Sequence, residues 1–169
     1  MLENAADLRV ASLEHIAEFN AFCEAHHLKD KVQADHICVR CSSNEKYEYQ
    51  KGLFTYTSRF IYESIISQRC ISVIGLNESL ETIVGPINYL ELSDQKLDGS
   101  QIDQIDHIEI VPTTISYDVL VIELQKHGVT IIETVRPHHT THDIKLSLGF
   151  MVKLSRKMLV DKIKEEEMI

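Results

Sequence analysis

A chain of 169 residues, 44% hydrophobic and 25% charged, is long enough to bury a real core, as one compact domain or as two small halves sharing one. Its net charge of −9, without a basic patch interleaved with aromatics, excludes nucleic acid as an expected partner and leaves metal cations and neutral or cationic small molecules as easier fits. The acidic start MLENAADLRV excludes a signal peptide, and no segment has the length and apolarity of a membrane span, so the expected location is cytoplasmic with no membrane contact.

Between residues 11 and 27, Leu13, Ile16, Phe19, Phe22 and Cys23 recur on a helical period with Glu14, Glu18 and Glu24 between them. This amphipathic helix belongs to an N-terminal extension, residues 1–33. A first module then spans residues 34–93. It opens with a strand at 34–41, and Ser42-Ser43-Asn44 offers acceptors for the free amides of a short helix at 45–54. Strands rich in isoleucine, valine and tyrosine follow at 59–67, 70–76 and 83–92. The polar residues 94–104, with Gly99, read as a linker.

The second module, residues 105–155, repeats the order: a strand at 105–111 closed by Pro112, a helix at 116–127 stopped by Gly128, and a strand at 129–134. After a histidine-bearing stretch come strands at 143–148 and 150–155, joined at Gly149. Residues 156–169 form a terminal helix with a solvated charge run. Asp35-His36-Ile37 opens the first module and Asp106-His107-Ile108 the second, so a strand-helix-three-strand unit is written twice. The expected fold is α+β: paired βαβββ modules forming a curved mixed sheet cup within one domain, with a helix at each end.

Side chains alternate along a strand, so parity decides which residues share a site. His36, Cys38 and Arg40 face one way on the first strand, and His107 and Glu109 share a face on the fifth. If the copies meet about a pseudo-twofold axis, His36 and His107 approach across a central cavity, and Glu91 on the fourth strand adds a carboxylate. Two imidazoles and a carboxylate with open positions suit iron, zinc, manganese or nickel. The alternative is that both histidines are simply hydrogen-bonded and Glu91 is a solvated edge residue. Carboxylates often orient metal-bound histidines, but parity points Asp35 and Asp106 away from theirs. Cys38 and Cys41 spell C-x-x-C across opposite faces of a strand, so these two, with Cys23 and Cys70, are expected to be reduced and mostly packed thiols.

The duplicated unit with His36 on strand one and His107 on strand five resembles the vicinal oxygen chelate superfamily, which includes glyoxalase I and the extradiol dioxygenases. More narrowly, ADHICVRCSSNEKYE, NYLELSD, IDHIEIV and the terminal VKLS resemble the YecM-like proteins. The resemblance implies a divalent metal held from strands one, four, five and eight, which by position are His36, Glu91, His107 and Lys153. It also implies a homodimer. Glutamate is usual at the last position, and lysine there departs from the pattern, because an ammonium has no lone pair to donate. Lys153 could instead pair with Glu91, bind an anionic substrate group or act as a base. Arg40 could hold a substrate carboxylate, and Glu109 could act as acid or base or pair with Arg40. His138, His139 and His142 read as an exposed loop, with a lid or extra ligand as the other reading.

The expected function is therefore metal-dependent chemistry on a small oxygen-rich molecule, by an isomerase, lyase or dioxygenase. The alternative is a non-catalytic module for a small ligand whose cup is closed by a Lys153–Glu91 pair.

Overall fold

The computed structural model describes residues 2–66, 68–135, 140–147 and 149–167, the side chains of 166 and 167 excepted. The helical period near the N-terminus builds α1 (Asp7–Ala25), with Phe19 and Cys23 fully buried. β1 (Val32–Arg40) leads into α2 (Asn44–Phe54), which starts where Ser43 Oγ accepts the Lys46 amide at 3.2 Å. β2 (Ser58–Ile66) and β3 (Arg69–Leu80) form a hairpin, and β4 (Ile87–Ser93) returns beside β3. A strand expected from residue 83 begins only at Ile87. Thr82 Oγ1 donates to the Gly85 carbonyl at 2.6 Å, Gly85 adopts φ 103°, and Pro86 has no amide to give a ladder.

β5 (Gln104–Pro112) precedes α3 (Tyr117–Lys126), capped by Ser116 and ended by Gly128 at φ 79°. The Val129 amide turns back to the Leu124 carbonyl, so the next strand, β6 (Ile132–Val135), starts later than residue 129. β7 (Thr140–Lys145), β8 (Met151–Leu154) and α4 (Leu159–Glu167) complete the chain. The ends expected for two strands at Ser67 and Leu148 lie outside the described residues.

All eight strands form one open mixed sheet in the order β2-β3-β4-β1-β5-β8-β7-β6. β1 runs parallel to β4 and β5 parallel to β8, while β1 and β5 pair antiparallel and join the halves. Alternation gives the central strands two different faces. Ile37, Val39, Leu90, Leu92, Ile108, Ile110, Val152 and Leu154 pack with Phe19, Tyr47, Phe54, Leu120 and Leu124 of the helices in a single apolar core. His36, Cys38, Glu91, His107, Glu109 and Lys153 occupy the intervening positions and are left to the opposite face. Among the described residues, no helix is long and apolar enough to cross a membrane.

Candidate metal centre

Both Asp-His pairs fall at irregularities of the β1–β5 ladder. Ala34 pairs with Ile110 and Ile37 with Ile108, so Asp35 and His36 together oppose Glu109; Cys38 then pairs with His107 and Val39 with Ile105, leaving Asp106 as the extra residue. A bulge interrupts strict alternation and re-aims the side chains beside it. The expectation that both aspartates point away from their histidines is therefore overturned. Asp35 Oδ2 lies 3.0 Å from His36 Nδ1, and Asp106 Oδ2 lies 2.7 Å from His107 Nδ1.

Each aspartate is itself held. Asp35 Oδ2 accepts the Leu159 amide at the start of α4 at 2.8 Å. Asp106 takes the Arg40 guanidinium at 2.8 Å and the Gln104 side-chain amide at 3.2 Å. With Nδ1–H of each imidazole turned to a carboxylate, Nε2 carries the lone pair in the neutral ring. His36 Nε2 is buried without a hydrogen-bond partner, and its nearest anion is Glu91 Oε2 at 3.5 Å. The two rings stand edge to face at 76°, with centroids 5.6 Å apart.

One ligand atom from each of His36, Glu91 and His107 falls within 4.8 Å of the others, which is the spacing a single ion can bridge. Cys38–Asp106–His107 and Asp35–His36–Glu109 also cluster, but each would take the aspartate that orients its histidine. Cys38 Sγ donates to Glu91 Oε1 at 3.3 Å. Cys38 is the buried, free thiol the sequence reading expected, and its bond to Glu91 is what that reading did not anticipate.

Electrostatics separates the two histidines. Burial pushes the His36 pKa down, but Glu109, Asp35 and Glu91 outweigh it and bring it up to about 10. Burial and the Lys153 ammonium hold the His107 pKa below its ordinary value. Burial opposes ionisation of Glu91, yet His36 and His107 hold its carboxyl well below the usual range. Glu109 is likewise lowered against the pull of burial, by His36 and Lys162. The carboxylates that retain a proton on His36 equally favour a divalent cation in its place.

Glu109 pairs with Lys162 of α4 at 2.7 Å, and Arg40 with Asp106, so of the readings open for Glu109 the Arg40 pair is not the one that forms. Among the described residues no ion pair joins Lys153 to Glu91, although the ammonium helps to lower the Glu91 carboxyl. His142 bonds Tyr117 through Nδ1 at 2.7 Å and lies 3.4 Å from Glu133 through Nε2, while His138 and His139 lie outside the described residues. All four cysteines are free.

Arg40, Glu91, His107, Glu109 and Lys153 line one open cavity of about 500 Å³, a size suited to a small molecule. The polar segment between the two halves supplies part of its wall, through Lys96, Leu97 and Asp98.

Comparison with solved structures shows the fold in another protein. A structure described as Protein EC4020 is 21% identical, with a TM-score of 0.61 over 92% of this chain and 93% of that one. Methylmalonyl-CoA epimerase is 12% identical over 75% of this chain and 95% of its own, with a TM-score of 0.48. Homoprotocatechuate 2,3-dioxygenase from Arthrobacter globiformis is 10% identical over 77% of this chain and 37% of its own, with a TM-score of 0.44. No curated protein matches the chain. The family model described as YecM protein matches residues 7–163, nearly the whole length, and the chain belongs to the YecM family.

Proposed function

We propose that this protein holds one divalent metal ion between His36, His107 and Glu91 and acts on a small oxygen-rich molecule bound beside it, as an isomerase, lyase or dioxygenase of the vicinal oxygen chelate kind. The observation that carries this reading is the lone Nε2 of His36, buried without a hydrogen bond and facing a carboxylate within a cluster of ligand atoms. A buried polar atom left without a partner is costly, and an ion relieves that cost. Two nitrogens and a carboxylate fit iron, zinc, manganese or nickel.

When bound, such an ion supplies Lewis acidity toward neighbouring substrate oxygens. The chain's own residues do the rest. Asp35 and Asp106 fix the tautomer and direction of each imidazole, and Arg40 steadies Asp106. Glu109, on the cavity wall beside Lys153, is the acid-base group, and because His36 and Lys162 lower its carboxyl it is a weak base until the Lys162 pair opens. The same reading includes a cytoplasmic location and a homodimer, which sedimentation of the purified chain tests.

The decisive experiment is elemental analysis by mass spectrometry of untagged protein beside the His36→Ala/His107→Ala double variant. Near-stoichiometric transition metal in the parent and its loss from the variant are expected. Absence of metal from the parent after reconstitution with iron, zinc, manganese and nickel would overturn the reading.

A further inference from the structure

The charges on the cavity wall run against those of the whole molecule. Arg40, Arg69, Lys96 and Lys153 line it together with Glu91, Glu109 and Asp98, in a chain whose net charge is −9. Most of the acidic groups are already committed. Glu91 faces His36, Glu109 is bound to Lys162, and Asp98 accepts the Ser100 amide at 3.0 Å. Arg40 is matched by Asp106 behind the wall.

The remaining cations close no ion pair among the described residues, although Lys153 acts across the cavity on Glu91 and Asp106, and Lys96 on Asp98. Arg69 donates to the Gln101 side-chain oxygen at 2.5 Å and to the Asp94 backbone carbonyl at 3.4 Å, both neutral acceptors. Lys96 and Lys153 form no ion pair among the described residues. Lys153 lies in register between Glu109 on β5 and Asp143 on β7, but Glu109 is taken by Lys162 and Asp143 makes no ion pair with it. The Thr141 hydroxyl, from the same cavity wall, is buried without a partner. An ammonium that closes no ion pair and a hydroxyl without a hydrogen bond, on one wall, can both donate to an anion.

We propose that the ligand of this cavity is a small organic acid, with one oxyanion group, carboxylate or phosphate, seated on Lys153 and Thr141 while its other oxygens turn toward His36, His107 and Glu91. Lys96 and Arg69 add to the field that draws the anion in. The Lys153 end of the ligand stands by itself; only the other end rests on the metal reading above. The departure at β8 thus exchanges a fourth ligand for a substrate anchor, and it narrows the substrate to molecules bearing negative charge.

The test is isothermal titration of reconstituted protein with malonate, inorganic phosphate and, as the neutral oxygen-rich control, glycerol, using the parent, Lys153→Met and Lys153→Arg. Metal content and thermal unfolding are recorded on the same samples. One or both anions should bind the parent more tightly than glycerol, and the tighter of the two names the group. Lys153→Met should weaken that anion roughly 10- to 100-fold, the loss of a charge-assisted hydrogen bond, with metal content unchanged. Lys153→Arg, which keeps the charge, should recover part of it. Equal anion binding by Lys153→Met and parent, glycerol binding as tight as the anions, or no anion binding at all would each overturn the proposal. Lysine-dependent anion binding in a parent that takes up no metal would sustain it while removing the metal reading; a metal-loaded parent that ignores both anions would do the reverse.

Discussion

Asp35 and Asp106 each accept the Nδ1–H of the histidine that follows, and the bulges in the β1–β5 ladder make that contact reachable between adjacent residues. Asp106, whose other partners are the side chains of Arg40 and Gln104, is the one to test, because Asp35 also accepts a backbone amide that starts α4. Replacing Asp106 by asparagine should weaken metal binding roughly 10- to 100-fold, measured by competition with a chelator, since the orienting charge is lost while the shape is kept. An unchanged affinity would show that His107 needs no orienting partner. The histidines themselves were legible in the sequence because a repeat put them at equivalent positions. Their aspartate partners were not, because a period-two argument fails wherever a residue is inserted into a ladder.

The helices and the segment between the modules depend on a few side-chain acceptors. Ser43 and Ser116 each satisfy a free amide in the first turn of α2 and α3, so Ser43→Ala or Ser116→Ala should each cost about 1 kcal/mol in urea unfolding. Ser42, Lys46 and Asp103 tie the start of α2 to the residue just before β5, through the Ser42 amide to Asp103 at 2.8 Å and a Lys46–Asp103 ion pair. Burial opposes ionisation of Asp103, but Lys46 and Ser42 prevail and hold its carboxyl below the ordinary 3.8. A carboxyl lowered by folding adds stability that is present above its unfolded value and lost as pH falls through the folded one. Asp103→Asn should therefore be less stable than the parent at neutral pH, with the gap closing below about pH 4, as thermal melts across acid pH would reveal. A gap independent of pH would mean that the carboxylate's charge plays no part. Both caps could be read from serine followed by an apolar period. The tether could not, since Asp103 and Lys46 are far apart in the chain and only the folded sheet brings them together.

Over the whole molecule, β1 and β5 lie at the centre of a single sheet, and the apolar core runs from one half to the other without a break. Ile37 and Ile108 pair across that junction and are both fully buried. Ile108→Ala should cost about 2–5 kcal/mol and destabilise both halves equally. Urea unfolding followed by far-ultraviolet circular dichroism and by tyrosine fluorescence should give coincident transitions in parent and variant. Two separated transitions would show that the halves fold independently. The cup face depends on the same junction, because His36 stands on β1 and His107 on β5 and their pairing sets the distance between the rings.

By itself the sequence determined the kinds and order of the elements, the face on which His36, Glu91, His107 and Lys153 lie, and the presence of a repeat. Hydrophobic periodicity, caps and turn residues are local signals and survive in a linear string. The partners emerged only in the folded chain: Asp35 and Asp106 with the histidines, Cys38 with Glu91, Lys162 with Glu109, and, among the described residues, no ion pair for Lys153. Ion pairing and burial depend on distances between strands and helices remote in sequence, and on bulges that shift side chains between faces. For that reason a chain of net negative charge carries a cavity whose wall holds four cationic side chains against three carboxylates.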